Sequence, residues 1–432
     1  MTLSRIPPGV RVQPAMYHFL LPALILISLM GWHTASHAEL SLDQAEKIAS
    51  EADPLVAASQ ARALALTESA IADGQLPDPK LKFGVFNLPT DTFDFNQEPT
   101  TQVRLGIQQA FPRGDTLKYK QKQTTWKSTA ETQRSETISL KVNRNVRLEF
   151  LELFYQVRAG QIIQRSRDVF ADLVKITQAH YGAGRVSQQD VLRAELELSR
   201  LDDRATHIRN REAVNRAALR KWIGSASSME IEDSFPTLPE LTSLSVMGDN
   251  LQNHAEIRME SSRIEAWNQG VSIAREQYKP GWSIGVEYRA RFGDNPDGSN
   301  RTDMTAAMLT VDLPLFTDKR QDKRLSASQQ QADAARLVRD DRLRQLQEML
   351  DREYANWQLG ERETLYKNRL LRESRANATA SLNAYQSGVT EFTTLMRARL
   401  TELDVRLQDL RIRVDKAKAH ARLLYIASGE QQ

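Results

Sequence analysis

Residue types that usually carry catalysis or metal binding are few in this sequence and form no recognisable group. Beyond residue 38 the histidines are His180, His207, His254 and His420, and no two of them have the four-residue spacing of a helical metal site. Cysteine is absent, and there is no glycine-rich phosphate-binding loop. The acidic residues lie on helix faces that must be solvated in any case. We therefore expect no enzyme activity, no cofactor and no metal site.

Two short glycine-containing turns are the other candidates for functional residues. Each has the spacing Tyr-x-x-Gly, which ends at Gly184 in the first turn and at Gly388 in the second. Glycine readily takes the backbone conformation that terminates a helix, so we expect one helix to end at each position. Ser187 and Glu391 follow where the next helix begins, and hydroxyl or acidic groups are favourable there. Simple capping explains these residues, and a binding role at exposed tips is compatible with it.

The two turns belong to a unit that occurs twice. Residues 181–184 match residues 385–388 at an offset of 204, and Arg193 and Leu196 match Arg397 and Leu400 at the same offset. Upstream of the turns, patches near residues 84 and 105 occur again later in the chain, at offsets of 201 and 204. Matching patches in one order at nearly one spacing indicate a duplication. The sequence predicts a signal peptide at 1–38, a first repeat at 39–223, a linker at 224–242 and a second repeat at 243–432.

Each repeat is predicted to contain a helix, two strands and a pair of long antiparallel helices. The predicted bounds are 41–75, 80–88, 101–111, 114–181 and 188–223, then 243–278, 282–292, 304–313, 318–385 and 391–427. A helix of about 68 residues rises roughly 100 Å, far beyond the helices of ordinary globular domains. The fold class is therefore mainly α with a small β part.

The long helices carry the heptad spacing of coiled coils. Apolar residues separated alternately by four and three positions run along the last helix and along the returning helix of the first repeat: Leu403, Leu407, Leu410, Val414, Ala417, Ala421 and Leu424, and Ala194, Leu198, Leu201, Ala205 and Ile208. Because the remaining faces are charged, this narrow stripe predicts a coiled-coil seam.

The predicted strands alternate apolar and polar residues. The apolar positions include Val103, Leu105 and Ile107, then Trp282, Ile284, Val286 and Tyr288, and finally Ala307, Leu309, Val311 and Leu313. Alternation over about ten residues with aromatic residues near the ends fits a transmembrane β-barrel. A half-buried sheet of a soluble protein would alternate too, so the pattern alone leaves both possibilities open. The polar loops at 89–99 and 293–303 would lie outside the cell in the membrane case.

The N-terminus has the features of a secretory signal. Arg5 and Arg11 precede an apolar run at 19–30, and Ser36 and Ala38 supply small residues before a cleavage site at Glu39. An uncleaved anchor is the alternative. Removing the two arginines from the 58 basic residues leaves 56 against 55 acidic ones. This balance gives no reason to expect a nucleic-acid partner.

Four strands cannot close a barrel, and an open sheet edge in lipid is not tolerated. The chain must therefore form an oligomer if the strands lie in a membrane. Two chains would give eight strands with a filled interior, and three chains would give twelve strands around an aqueous lumen. We favour a homotrimer.

The sequence resembles the TolC-type outer-membrane efflux family over nearly its whole length beyond residue 38. The resemblance is carried by the duplicated plan, by the paired Tyr-x-x-Gly turns, by Arg-Ala-x-Leu after each turn, and by prolines that flank the strands. It implies a trimer with a twelve-stranded barrel in the outer membrane of a Gram-negative bacterium. It also implies a long helical tunnel in the periplasm, whose helix-turn tips meet an adaptor linked to an inner-membrane pump.

The resemblance assigns roles around the two turns. The expected adaptor-binding residues are Gly184, Arg185, Val186 and Ser187 in the first turn and Gly388, Val389, Thr390 and Glu391 in the second. Thr394 and Arg397 match inward-facing family positions that narrow the tunnel and are often acidic, so attraction of cations at the gate is in doubt here. If the turns lie side by side, Tyr385 can donate a hydrogen bond to Asp190 and hold the gate closed, or Tyr385 simply packs beneath its turn.

Two further points concern the cargo and the class of protein. Residues 314–323 and 109–114 are similar to the corresponding segments of heavy-metal efflux channels of the CzcC and CusC kind, although drug-efflux or type I secretion channels share the architecture. The alternative from another class is a soluble periplasmic coiled-coil adaptor or scaffold. Such a protein would share the signal peptide and the heptads but would not need two equivalent hairpins.

Overall fold

The protein is described here by a computed structural model covering residues 39–358 and 360–428. The predicted signal peptide lies outside these residues. The helices, in chain order, are α1 (Leu42–Ala52), α2 (Pro54–Asp73), α3 (Thr116–Gly182), α4 (Gln188–Ile223), α5 (Leu244–Asp249), α6 (Ala255–Glu276), α7 (Gln321–Trp357), α8 (Gly360–Leu365), α9 (Leu371–Gln386) and α10 (Phe392–Ala427). The strands are β1 (Lys80–Phe86), β2 (Gln102–Phe111), β3 (Gly281–Arg291) and β4 (Met304–Asp312). A mainly helical fold with a small sheet is confirmed.

The four strands form one antiparallel sheet in the order β1-β2-β3-β4. The central pairing joins the two hairpins, because β2 and β3 are adjacent although 169 residues separate Phe111 from Gly281 along the chain. In the pairing register, Ile107 lies between Leu81 and Val286, and Leu105 lies between Phe83 and Tyr288. One face of the sheet is therefore apolar, as the alternation predicts.

Helix α3, 67 residues long, contributes to the largest buried cluster of the described chain. Its residues Phe150, Leu151 and Leu153 pack there with residues of α1, α4 and α10. A second cluster, nearer the turns, contains Phe170 of α3 and Leu395 of α10. The α10 heptad is confirmed as a core stripe. Leu403, Leu410, Val414, Ala417 and Ala421 are buried, and Leu407 and Leu424 are half-buried.

The predicted single helix at 41–75 is wrong, because α1 ends at Ala52 and α2 begins at Pro54. Asp53 caps α2 by accepting hydrogen bonds from the N–H groups of Leu55 and Val56, at 2.8 and 3.1 Å. Proline has no N–H and clashes with the preceding turn inside a helix, but it fits the first helical position. The same kind of correction applies at 243–278, where His254 caps α6 after the short helix α5.

The predicted continuous helix at 318–385 is also corrected. Helix α7 ends at Trp357, helix resumes at Gly360, and residues Tyr366–Leu370 form a π-helical turn before α9. Glycine in a helix costs about 1 kcal/mol relative to alanine, so the helix is intrinsically weak at Gly360. A π turn holds one extra residue and is not visible in a heptad pattern.

The segment at 224–242 lies against the start of the described chain. Leu40, fully buried, donates its N–H to the carbonyl oxygen of Glu230 at 2.7 Å and accepts a hydrogen bond from the N–H of Glu232 at 3.2 Å. Phe235 of the same segment stacks edge-on against Phe154 of α3. The division into two repeats and a linker stays a prediction.

Candidate functional site

The first turn connects α3 to α4 through Gly184, whose φ of +66° is strained for any residue with a side chain. The N–H of Arg185 donates to the carbonyl oxygen of His180 at 2.9 Å, which closes the end of α3. Ser187 then caps α4. Its hydroxyl accepts from the N–H of Asp190 at 3.3 Å, and the Asp190 carboxylate accepts from the N–H of Ser187 at 3.3 Å. This reciprocal capping box fixes where α4 begins.

The second turn connects α9 to α10 in nearly the same way. Gly388 has a φ of +73°, and the N–H of Val389 donates to the carbonyl oxygen of Ala384 at 2.8 Å. Glu391 occupies the N-cap position of α10 but makes no capping hydrogen bond with its side chain. The sequence therefore predicts where the helices end and begin at both turns. Of the two expected N-cap residues, Ser187 caps its helix with its side chain and Glu391 does not.

The two turns share one open cleft of about 700 Å³. Among the predicted site residues it is lined by Arg185, Val186, Ser187, Asp190, Tyr385, Gly388, Val389, Thr390 and Glu391. Val389 is the most exposed apolar residue there, with 80% of its surface accessible. Gly184, Thr394 and Arg397 are not part of this lining. The roles of all these residues in adaptor binding or gating stay predictions.

The hydrogen bond expected between Tyr385 and Asp190 is not formed. The hydroxyl of Tyr385 is buried and has no hydrogen-bond partner. Its ring packs against Phe392 and His180, with centroid distances of 5.6 and 5.7 Å. The Asp190 carboxylate instead accepts from the Ser187 hydroxyl at 2.8 Å, because that partner is fixed within the same helical turn. The expectation is corrected in favour of Tyr385 packing beneath its turn.

Sequence reasoning missed His180 and Phe392, which also line the cleft. The signal for Phe392 was available, since it is an apolar residue directly after the N-cap of α10. Thr394 and Arg397 are exposed on α10, and the Arg397 side chain forms no ion pair within the described residues. Asp190 and Arg193, three residues apart on α4, also form no ion pair in the described chain.

Far from the turns, a buried carboxylate joins four helices. Glu256 of α6, 1% exposed, lies 2.5 Å from the Lys141 ammonium of α3 and accepts a hydrogen bond from the Tyr425 hydroxyl of α10 at 2.7 Å. The guanidinium of Arg342 on α7 also donates to it. Burial by itself raises the pKa of Glu256, but the hydrogen bonds from Arg342, Lys141 and Tyr425 outweigh it and lower the pKa to about 2.

His254, beside this carboxylate, is completely buried. Its Nδ1 accepts from the N–H of Glu256 at 3.3 Å, so Nε2 carries the proton and donates to the carbonyl oxygen of Tyr425 at 3.1 Å. Burial lowers the pKa of His254, which keeps the ring neutral. The hydrogen bonds and ion pairs of these side chains are made within the group, so we assign the group a structural role.

No helix within residues 39–358 and 360–428 combines the length and the apolarity needed to cross a membrane. In that same part of the chain no group of three or more His, Asp or Glu side chains is placed to hold a metal ion.

Comparison with known proteins relates the second half of the chain to a known family. Residues 246–429 match the model of the family described as outer membrane efflux protein. Over this segment the chain resembles the outer membrane efflux protein family. A match to this family indicates an efflux protein and not an enzyme. No curated protein sequence matches the chain significantly.

Solved structures of outer-membrane proteins share the fold of this chain. The outer-membrane channel OprN has a TM-score of 0.75 at 17% identity, with 90% of each chain covered. The outer membrane protein VceC of Vibrio cholerae has a TM-score of 0.75 at 18% identity and covers 90% of this chain and 97% of its own. CusC, which forms a transmembrane channel, has a TM-score of 0.71 at 13% identity and covers 89% and 92%. At these identities the likeness extends to the fold.

Proposed function

We propose that three copies of this chain form a channel in the outer membrane of a Gram-negative bacterium, with the helices in the periplasm. In this proposal the channel is the passive exit duct of a tripartite efflux system. The observation that carries it is the four-stranded sheet, which exposes an apolar face and leaves both edge strands unpaired within the chain.

The apolar face of the sheet is exposed along all four strands. Its side chains are between 41% and 74% exposed: Leu81, Phe83, Val85, Leu105, Ile107, Trp282, Ile284, Val286, Tyr288, Leu309 and Val311. A contiguous exposed apolar surface of this kind marks contact with a membrane or a protein. No element within residues 39–358 and 360–428 covers this face, and lipid hydrocarbon would be a suitable contact for it.

The sheet edges require further copies. Strands β1 and β4 each pair on one side only, so the backbone groups of their outer edges have no partner in the described chain. Such groups are intolerable in lipid, and pairing β4 of one copy with β1 of the next removes every edge. Three copies give twelve strands, enough for a water-filled lumen.

The helices offer faces for the same assembly. Leu192 and Leu196 of α4 are 57% and 51% exposed, and Leu337 and Val338 of α7 are 70% and 55% exposed. These two helices lie in different halves of the chain. A ring of copies would bury the α4 face of one copy against the second-half helices of its neighbour.

The cleft between the two turns is the proposed site for a periplasmic adaptor that connects the channel to an inner-membrane pump. Its lining combines exposed backbone at Gly388 with the apolar side chains of Val186 and Val389. Small residues and apolar tips at the end of a rigid helix pair fit a partner that contacts several chains at once.

The cargo is proposed only as a class of small molecules. Heavy-metal cations are one candidate, supported by residues 314–323 and by the fold likeness to CusC. The likenesses to OprN and VceC are of the same order, so drug-efflux and secretion channels are equally compatible with the fold.

Mass measurement of the purified protein in mild detergent tests the assembly. We expect a trimer that dissociates on heating, because the barrel edges are satisfied only by neighbouring copies. A stable monomer would contradict both the stoichiometry and the barrel. Fractionation separates the proposal from the soluble adaptor or scaffold: the channel is recovered from detergent-extracted outer membranes, and recovery from the periplasmic fraction alone would favour the alternative.

A further inference from the structure

The polar face of the sheet carries three arginines close together near its loop end. Arg104 of β2 lies directly opposite Arg289 of β3, and Arg291 lies opposite Gln102, two residue pairs further along and on the same face. All three side chains are half-buried on the face opposite the apolar one. The pairing register alone brings them together, because Arg104 and Arg289 are 185 residues apart in the sequence.

Their nitrogen atoms are poorly satisfied by the chain itself. The Nε atoms of Arg104, Arg289 and Arg291 are buried and have no hydrogen-bond partner. Arg104 lies over the ring of Phe86, 3.7 Å from the ring centre, which holds its guanidinium in place. The one ion pair within the group joins Arg289 to Glu287 at 3.3 Å.

Glycine residues make room for these long side chains. A Cβ at Gly106 would lie 2.7 Å from Cγ of Glu287, so only glycine allows that carboxylate to cross the neighbouring strand. Gly84 occupies the position opposite Arg104. The side chains therefore lie along the sheet surface at fixed positions.

The arrangement has an electrostatic cost. Like charges directly opposite each other destabilise a sheet. Lys80 and Lys82 add to the three arginines on this face, and Glu287 and Asp312 are its acidic residues. Nearby, the Asp303 carboxylate accepts from the Tyr288 hydroxyl and from the backbone N–H of Arg291, and Arg301 donates to carbonyl oxygens of the loops. Of these two side chains only Asp303 is negative, and it offsets part of the charge of Arg291.

We infer that Arg104, Arg289 and Arg291 form an anion-binding station on the inner wall of the conduit, and that its cargo carries an anionic group such as a carboxylate, phosphate or sulfonate. This rests on the proposed function, in which the apolar face contacts lipid and the polar face therefore lines the lumen. Guanidinium groups pair with such anions through two parallel hydrogen bonds, and those of Arg104 and Arg291 form no ion pair within the described residues.

Arg397 on α10 is exposed and forms no ion pair in the described part of the chain, so it adds positive charge near the other end of the helices. A conduit that is basic at both places repels free metal cations. The charge of the polar face therefore opposes heavy-metal cations as the cargo and favours anionic organic molecules or oxyanions.

The test is the reversal potential of the purified protein in a planar bilayer under a potassium chloride gradient. We expect chloride to be more permeant than potassium. The double variant Arg104→Gln, Arg289→Gln should lower the chloride-to-potassium permeability ratio about threefold or more. This estimate is smaller than the roughly tenfold or greater enrichment of counter-ions in charged clefts, because other charges on the face remain. The variant Arg104→Lys, Arg289→Lys keeps the charge and should keep the ratio.

Inorganic phosphate serves as the probe for binding. It should reduce the chloride current of the parent channel and should not reduce that of the glutamine variant. Cation preference in the parent, or an unchanged ratio in the glutamine variant, overturns the inference while leaving the channel in place. Absence of any conductance in the parent and both variants instead counts against the proposed channel function, on which the station depends.

Discussion

Replacing the buried carboxylate of Glu256 should destabilise the helical body in a pH-dependent way. The pKa of Glu256 is about 2 in the folded chain, against an ordinary value near 4.5. Each pKa unit corresponds to about 1.4 kcal/mol, so the ionised carboxylate stabilises the fold by about 3 kcal/mol at neutral pH. Glu256→Gln removes this contribution and leaves the charges of Lys141 and Arg342 without their shared partner.

The sign of the pH dependence follows from the lowered pKa. A group whose pKa is depressed by folding stabilises the protein fully above its unfolded value, here above about pH 5, and the contribution is lost as the pH falls towards 2. The parent protein should therefore lose stability between pH 5 and 2, and the variant should lose less over this interval. The difference between the two should be largest at neutral pH.

Thermal unfolding followed by circular dichroism in mild detergent measures the effect. For a chain of this length the unfolding entropy is about 0.8 kcal/mol per kelvin, so about 3 kcal/mol lowers Tm by about 4 °C. Glu348→Gln is the matched control, because Glu348 is 62% exposed and pairs with Arg352 on the same helix. Its effect should not exceed about 0.5 kcal/mol. Equal Tm values for parent and Glu256→Gln at pH 7, or a difference that persists undiminished at pH 3, would refute the reasoning.

Two further predictions concern the turns. The double variant Gly184→Trp, Gly388→Trp should abolish export, measured as resistance in cells. Trimer formation and membrane insertion should persist, because a Cβ at either position meets no heavy atom within 4 Å. The control is Gly298→Trp, which has a φ of +84° and equal space in a distant loop and should export normally. Undiminished resistance in the double variant would argue against adaptor binding at the tips. Tyr385→Phe should raise stability by about 1 kcal/mol, since the buried hydroxyl has no partner, and should leave single-channel conductance unchanged. A lower Tm or a raised open fraction would show that the hydroxyl finds a partner in the assembled channel.

Local signals predicted much of the candidate site. The bounds of α4 were predicted as 188–223 and are Gln188–Ile223, because a serine N-cap and a heptad stripe are both local features. The same holds for Gly184 and Gly388, whose positive φ follows from the need to reverse the chain after a helix. The boundary between α1 and α2 at Asp53 and Pro54 also depends on local residues. The apolar periodicity continues across these two residues, and for that reason a single helix was predicted.

The sequence by itself determined the helix pairs, the four strands, their alternating faces and the two turns, since each depends on residues a few positions apart. Only the tertiary structure decided which distant charges meet. Glu256 and Tyr425, 169 residues apart, share a hydrogen bond because α6 and α10 pack together. Arg104 faces Arg289 because β2 and β3 pair in one register, and a shift of one residue would turn them to opposite faces. Periodicity predicts which face of a helix or strand a residue occupies. It does not predict how two elements are aligned against each other, and that alignment determines the partner of a buried charge.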